Sequence, residues 1–228
     1  MKRIGRGSFI YENRPRIVGS AAVGGTKEGE GPLGKSFDRI FDDNLAGESS
    51  WEKAESRFLQ EAVSLCIDKA GLSTGDVDMM LSGDLLNQCT ASTFGLRSMM
   101  VPHIGMYGAC STMALTLMTA GCFVDGGCAR NAIAATSSHF SSAERQYRQP
   151  LQYGGQRPPT AQWTVTGAGA VAVSSQQRGR VFLDRATAGI IAELGIKDAN
   201  NMGAAMAPED VKSTPGTFSD FIKMRRIF

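Results

Sequence analysis

His103-Ile104-Gly105-Met106-Tyr107-Gly108-Ala109-Cys110-Ser111-Thr112-Met113-Ala114-Leu115 is the stretch that decides the fold. A short apolar strand around Ile104 to Tyr107 runs into Gly108-Ala109-Cys110, and a helix of small and apolar residues begins near Ser111. That is a strand, a tight turn and a helix, with a thiol at the turn. A thiol at a helix start feels unpaired N–H groups and the helix dipole, both of which favour thiolate. The same residues also suit a buried structural cysteine at a strand–helix corner. Locally, both readings stay open.

Working outward, strand and helix patterns alternate. Arg16 to Val23 reads as a first strand, followed by a polar, Gly-rich loop from Gly24 to Ser36. Ser49 with Glu52 has the spacing of a capping box. Behind it Trp51, Ala54, Phe58, Leu59, Ala62, Val63, Cys66 and Ala70 form one apolar helix face, and Gly71 stands where the C-cap belongs. Val77 to Gly83 predicts a second strand, Ala91 to Met100 a second helix, and Asn131 to Thr136 a buried strand. Trp163 to Ser174 and Arg180 to Ala188 read as a strand pair. The first is small or apolar on both faces, as a strand covered on both sides requires. Such alternation predicts an α/β layered fold.

Composition removes several function classes. With 228 residues the chain holds one large domain or one and a half. Its 24 Lys and Arg against 22 Asp and Glu leave a net charge of +2, too little for a field that steers nucleic acid or an anionic membrane. Five cysteines with no Cys-x-x-Cys spacing, and only His103 and His139 as histidines, argue against a disulfide framework and a structural zinc site. No basic-then-apolar leader opens the chain, and the longest apolar run, Met113 to Val124, is too short to span a bilayer. The expectation is a cytoplasmic protein.

Gly29-Glu30-Gly31-Pro32-Leu33-Gly34-Lys35-Ser36 satisfies G-x-x-x-x-G-K-[ST]. Glu28 and Glu30 place negative charge where phosphate would sit, Pro32 removes a donor, and five residues separate the motif from its strand. A solvated surface loop is the better reading.

Tyr107-Gly108-Ala109-Cys110-Ser111-Thr112 resembles the nucleophile elbow of the thiolase and ketoacyl-synthase superfamily. More specific blocks surround it: Ser82-Gly83-Asp84-Leu85-Leu86-Asn87-Gln88, Ala135 to His139 with Ala143 to Gln146, Tyr153-Gly154-Gly155-Gln156, Thr164 to Gly167, and Asn201 to Pro208. Together, from about Gly5 to about Glu209, they are similar to the stage V sporulation protein AD family. That family needs no lysine after the Gly31–Gly34 loop, which makes the P-loop match accidental.

The resemblance implies a thiolase-like αβα layered fold, with a complete N-terminal lobe over residues 1–189 and the start of a truncated second lobe over 190–228. It implies binding of dipicolinic acid, alone or with calcium, for uptake into the developing endospore. Implied partners are the other membrane proteins of the same transport system, at the forespore or spore inner membrane, and a second copy through the thiolase-type interface. No cofactor, resident metal or nucleic acid is expected. Dipicolinate is a flat ring with two carboxylates, so it needs donors and an apolar slot. The elbow around Cys110 offers backbone N–H groups; Asn87, Gln88, Ser137, Ser138 and His139 offer side-chain donors; Asp84 would orient a neighbour or face calcium. Arg157 is a further residue able to meet an anion.

The alternative is an acyltransferase with Cys110 as nucleophile. Condensation needs a second group, usually His, and an oxyanion site, which the superfamily draws from its C-terminal half. With the chain ending at Phe228, catalysis is not expected. The basic, apolar tail from Thr214 predicts either a short terminal helix or the product of a truncated or frameshifted reading frame.

Overall fold

The computed structural model describes residues 1–147, 164–189, 195 and 222–226. Its centre is a ten-stranded sheet, built from β1 (Lys2–Arg3), β2 (Ser8–Ile10), β3 (Arg16–Gly24), β4 (Arg39–Ile40), β5 (Met79–Asp84), β6 (His103–Gly105), β7 (Asn131–Ser138), β8 (Gly167–Ser174), β9 (Val181–Thr187) and β10 (Ile222–Arg226). The order is β1-β2-β9-β3-β8-β7-β5-β6, with β10 paired to β9 and β4 to β3. β5, β6 and β7 run parallel; β8 is antiparallel to both β7 and β3.

Period-two alternation divides the sheet between two helical layers. Ile133 and Ala135 face one core, with Ala170 and Ala172, against Phe58, Leu59, Ala62 and Val63 of α2 (Trp51–Lys69). Ala132 and Ala134 face the other, with Val173 and Leu183, against Leu117, Ala120 and Val124 of α4 (Thr112–Asp125). β7 and β8 are therefore covered on both sides, as the small, apolar composition of β8 requires. This is the αβα layering expected. Phe58 is fully buried, so Phe58→Ala would cost about 3–5 kcal/mol.

The long helix starts one residue later than its capping pattern suggests. Ser50 is the N-cap and accepts from the Lys53 N–H at 3.3 Å, while the Ser49 hydroxyl meets Lys53 Nζ instead. Gly71, at φ 60, follows the helix in the left-handed region that favours glycine. The Gly24–Ser36 loop is more ordered than its composition implies: α1 (Thr26–Glu30) and a 3-10 turn at Gly34–Ser36 occupy it. Gly29 thus lies inside a helix, and the loop does not lead straight from a strand into a phosphate cradle. The second helix is shorter than predicted, α3 (Thr90–Leu96) passing into a 3-10 turn at Arg97–Met99. α5 (Phe140–Tyr147) had no counterpart in the sequence pattern. The terminal helix is corrected to a strand: residues 222–226 pair antiparallel with β9 at the sheet edge. β-branched Ile222 opens that segment, and an open edge of β9 supplies hydrogen bonds that a lone short helix would lack. Among the described residues no helix is long and apolar enough to cross a membrane.

Candidate functional site

β5 and β7 are parallel neighbours, so their carboxyl ends deliver Asp84 opposite Ser137. Ligand sites in α/β sheets collect at such strand ends, where the following turns leave space. Asp84 is 2% exposed, and both its oxygens are used by the chain that follows: Oδ2 accepts from the Ala91 N–H at 2.7 Å and Oδ1 from the Ser92 N–H at 2.8 Å. The carboxylate thereby holds the first turn of α3 against the end of β5. Between them the chain turns through Leu85 to Cys89, and Cys89 takes the left-handed conformation at φ 50.

Glu55 of α2 is 3% exposed and reaches the same place from the helical layer. The Ser137 hydroxyl donates to its Oε1 at 3.1 Å and the Ser142 hydroxyl to its Oε2 at 2.9 Å. α2, β7 and α5 are therefore joined through one carboxyl group. Burial and the charge of Asp84 push Glu55 up to about 7, against the pull of the two seryl hydrogen bonds. Burial also raises Asp84, with hydrogen bonds from Ser92 and Ala91 opposing it. Near neutral pH Glu55 therefore carries a proton much of the time, and the cavity wall holds a carboxylic acid beside a carboxylate.

These groups line a cavity of about 310 Å³, together with Glu52, Leu86, Gln88, Thr90, Ala91 and Ser142. Of the predicted site residues, Asp84 and Gln88 line it and Ser137 stands behind Glu55. Asn87 is exposed on the same turn but is not part of the lining. Ser138 donates to the Val165 carbonyl at 2.7 Å. His139 is fully buried: its Nδ1 accepts from the Ser141 N–H at 3.2 Å, so Nε2 carries the proton and donates to the Asn44 carbonyl at 2.9 Å. Its ring packs between Trp51 and Phe140, at 5.2 and 5.1 Å.

Cys110 lies on the neighbouring connection. It is exposed, in a 3-10 turn at Ala109–Ser111, two residues before α4. Ala109 is left-handed at φ 47, and the turn is held by the Ser111 hydroxyl on the Gly108 carbonyl at 2.7 Å and by the Gly108 N–H on Thr112 Oγ1 at 3.2 Å. The sulfur does not line the cavity. His103 is bonded to Ser82 at 2.8 Å, and burial lowers its pKa while Asp84 raises it. Side chains of Glu144 to Gln146, the blocks Tyr153–Gln156 and Asn201–Pro208, and Arg157 lie outside the described residues. Among those described, no cluster of three or more His, Cys, Asp or Glu is arranged to hold a metal ion.

Glu55 escaped the sequence reading, although a signal was present. It stands on the apolar stripe of α2, four residues after Trp51 and three before Phe58. A carboxylate on a buried face demands a partner, and Ser137 and Ser142 provide it.

A strand end with a cysteine turn, layered between helices on both faces, defines a thiolase-like fold. Solved structures agree. OleA of Xanthomonas campestris superposes with TM-score 0.59 at 12% identity, over 90% of this chain and 72% of that one. A 3-oxoacyl-(acyl carrier protein) synthase III from Xanthomonas oryzae gives 0.59 at 13%, over 90% and 71%. At such identities the likeness is one of fold. The model of the stage V sporulation protein AD family matches residues 5–226. Stage V sporulation protein AD of Bacillus subtilis (strain 168) is 42% identical over 220 residues, covering 96% of this chain and 65% of that protein. The chain belongs to the stage V sporulation protein AD family, and spans just under two thirds of the length of that relative.

Proposed function

We propose that this sporulation-family protein binds dipicolinic acid, alone or as its calcium chelate, in the cavity between β5, α2 and α3. The observation that carries it is the convergence of Asp84 and Gln88, from the family-like block that ends β5 and continues past it, on a cavity of about 310 Å³, the size of a small aromatic dicarboxylate's site. Leu86 and Ala91 offer apolar surface for a ring, while Gln88, Thr90 and protonated Glu55 offer donors. Among the described residues that line the cavity, Glu52, Glu55 and Asp84 are acidic and none is basic, so the chelate, which carries no net charge, fits its electrostatics better than the free dianion. Calcium then arrives already held by the ligand. Titrating purified protein with dipicolinate, with and without calcium, tests the reading: saturable heat is expected in both arms, stronger with calcium. No saturation at millimolar ligand in either arm would overturn it.

In the cell the same reading places the protein at the forespore or spore inner membrane, attached peripherally beside membrane partners of a shared transport system. Among the described residues β6 ends the sheet with one edge outside its pairing with β5, which supports self-association there. A second reading, acyl transfer through Cys110, is favoured by one observation, the exposure of that thiol on its turn. Incubation with acetyl-CoA followed by mass spectrometry is its test; a thioester on Cys110 would support it, and an unmodified thiol under conditions that label a true thiolase would end it.

A further inference from the structure

The cavity wall holds two buried carboxyl groups whose partners differ in kind. Asp84 faces two backbone N–H groups, those of Ala91 and Ser92, which can only donate and so favour the carboxylate. Glu55 faces two hydroxyl groups, those of Ser137 and Ser142, and a hydroxyl can give a hydrogen bond or receive one. Ser142 Oγ stands 2.9 Å from Glu55 Oε2 and 3.1 Å from the His139 carbonyl oxygen, with a single proton to give. When Glu55 is a carboxylate, that proton goes to Oε2. When Glu55 is an acid, its own O–H donates to Ser142, and Ser142 donates to His139. The His139 carbonyl also accepts from the Ala143 N–H at 3.0 Å, so it is partnered in both forms. Glu55 can thus change charge inside the fold without leaving a buried donor or acceptor unmet.

Few charges surround it. Among the described residues, Asp84 at the end of β5 and Glu52, one turn earlier on α2, act on Glu55, and both favour its acid form. α3, β7 and β8, which pack against α2, carry no charged residue. β3 carries only Arg16, at its opposite end. On the side of α5 stands His139, with its ring nitrogens engaged by Asn44 and Ser141. The geometry points to Glu55 as the proton gate of the cavity: an anionic ligand is accepted with Glu55 as the acid, so the carboxylate form takes up a proton from solution as the ligand binds. The inference rests on the cavity reading proposed above and adds the charge state in which the site accepts its ligand. With Glu55 neutral, the ligand meets Asp84, whose charge is spread over two N–H groups, and the half-buried Glu52. With Glu55 ionised, a further carboxylate only 3% exposed stands in the wall, where solvent screens little. Burial and the charge of Asp84 place the change at about 7, so the gate works across neutral pH. It discriminates by charge: the free dianion feels it and the neutral chelate does not.

The test is calorimetric titration of the whole chain with dipicolinate between about pH 6 and about pH 9, without and with calcium, in two buffers of different ionisation enthalpy; the ligand's own carboxyl groups stay ionised over this range. Affinity for the free dianion is expected to fall about a hundredfold from the acid end to the alkaline end, with close to one proton taken up per ligand at about pH 8. The chelate is expected to stay within about threefold over the same range. Glu55→Gln is expected to bind the free dianion with no pH trend and no proton uptake. Two milder variants move the midpoint of the fall in opposite directions, each by about half a pH unit: Glu52→Gln, which removes a like charge, to lower pH, and Ser142→Ala, which removes a hydrogen bond to the carboxylate, to higher pH. A flat profile for the free dianion, a fall as steep for the chelate or for Glu55→Gln, or saturation by the chelate alone would overturn the gate while leaving the cavity reading standing. Unmoved midpoints in both milder variants would overturn the gate as well. No saturation at any pH, with or without calcium, would overturn the cavity reading and the gate with it.

Discussion

Two neighbouring connections do opposite things with the same local geometry. Each leaves the carboxyl end of a parallel strand, passes through a left-handed non-glycine residue, and enters a helix: β5 to α3 by way of Cys89 at φ 50, β6 to α4 by way of Ala109 at φ 47. The first is closed by the buried Asp84, whose carboxylate takes two backbone N–H groups. The second is exposed and presents Cys110 to solvent. The thiol singled out by the motif therefore stands on one turn, while the cavity belongs to the other, whose own Cys89 does not line it. Chemistry suggested by a motif and space supplied by a fold need not coincide, and here they are one strand apart.

The comparison is broken most directly at Asp84. Asp84→Ala strands the Ala91 and Ser92 N–H groups inside the fold and is expected to cost about 3–4 kcal/mol in denaturant unfolding, whereas Cys110→Ala is expected to stay within about 0.5 kcal/mol. Equal costs would erase the distinction between the two turns. Gly83 is the hinge between them, because a Cβ there would collide with the Met106 carbonyl oxygen and meet Thr112 Cγ2. Gly83→Ala is expected to destabilise by about 3 kcal/mol and to raise the accessibility of both turns to hydrogen exchange. Protection lost at only one of them would show that they are independent.

Glu55 sharpens the contrast through pH. Its folded pKa, about 7, lies above the ordinary 4.5, so the folded state holds the extra proton between these values. Stability contributed by that proton is full below about 4.5, falls as pH rises to about 7, and is flat beyond. Glu55→Gln is expected to flatten this slope and to gain about 2–3 kcal/mol at pH 8. An unchanged slope would mean that the buried carboxyl is not the titrating group. The smallest effect is chemical. Cys110 and Cys128 are exposed, while burial pushes the Cys66 thiol up to about 12. Disulfide reagents are expected to take Cys110 and Cys128 in a fast phase and Cys66 only on unfolding, and Cys110→Ala to remove one fast thiol. A slow Cys110 would put it in an enclosed site after all.

What the residues told in advance follows from the range of the forces involved. Periodicity over α2, the strand around Arg16 to Gly24 and the Cys110 turn were legible because they are local. The layering was legible too, since β8 is small or apolar on both faces. β4 and β1 are two-residue strands with no pattern to read. α5 was hidden because its start, Phe140-Ser141-Ser142-Ala143, has weak helical preference and is set by His139 and Thr166 contacts. Of the site, Asp84 and Gln88 were found through a resemblance. Glu55 was not, because its partners Ser137 and Ser142 lie more than eighty positions away in the chain.

The pairing of β3 with β8 has a consequence for how the molecule is made. Arg16 meets Ser174 and Gly24 meets Gly167, contacts that close a loop of roughly 150 residues and place the chain among slow folders. β5, β6 and β7 with α3 and α4 fall within residues 79–138 and demand far shorter closures. The cavity's floor can thus form early, but Glu55 enters only as α2 settles on the sheet. During synthesis, the middle of the sheet must wait for β8 to leave the ribosome, with the apolar faces of β3 and α2 open to chaperones until then.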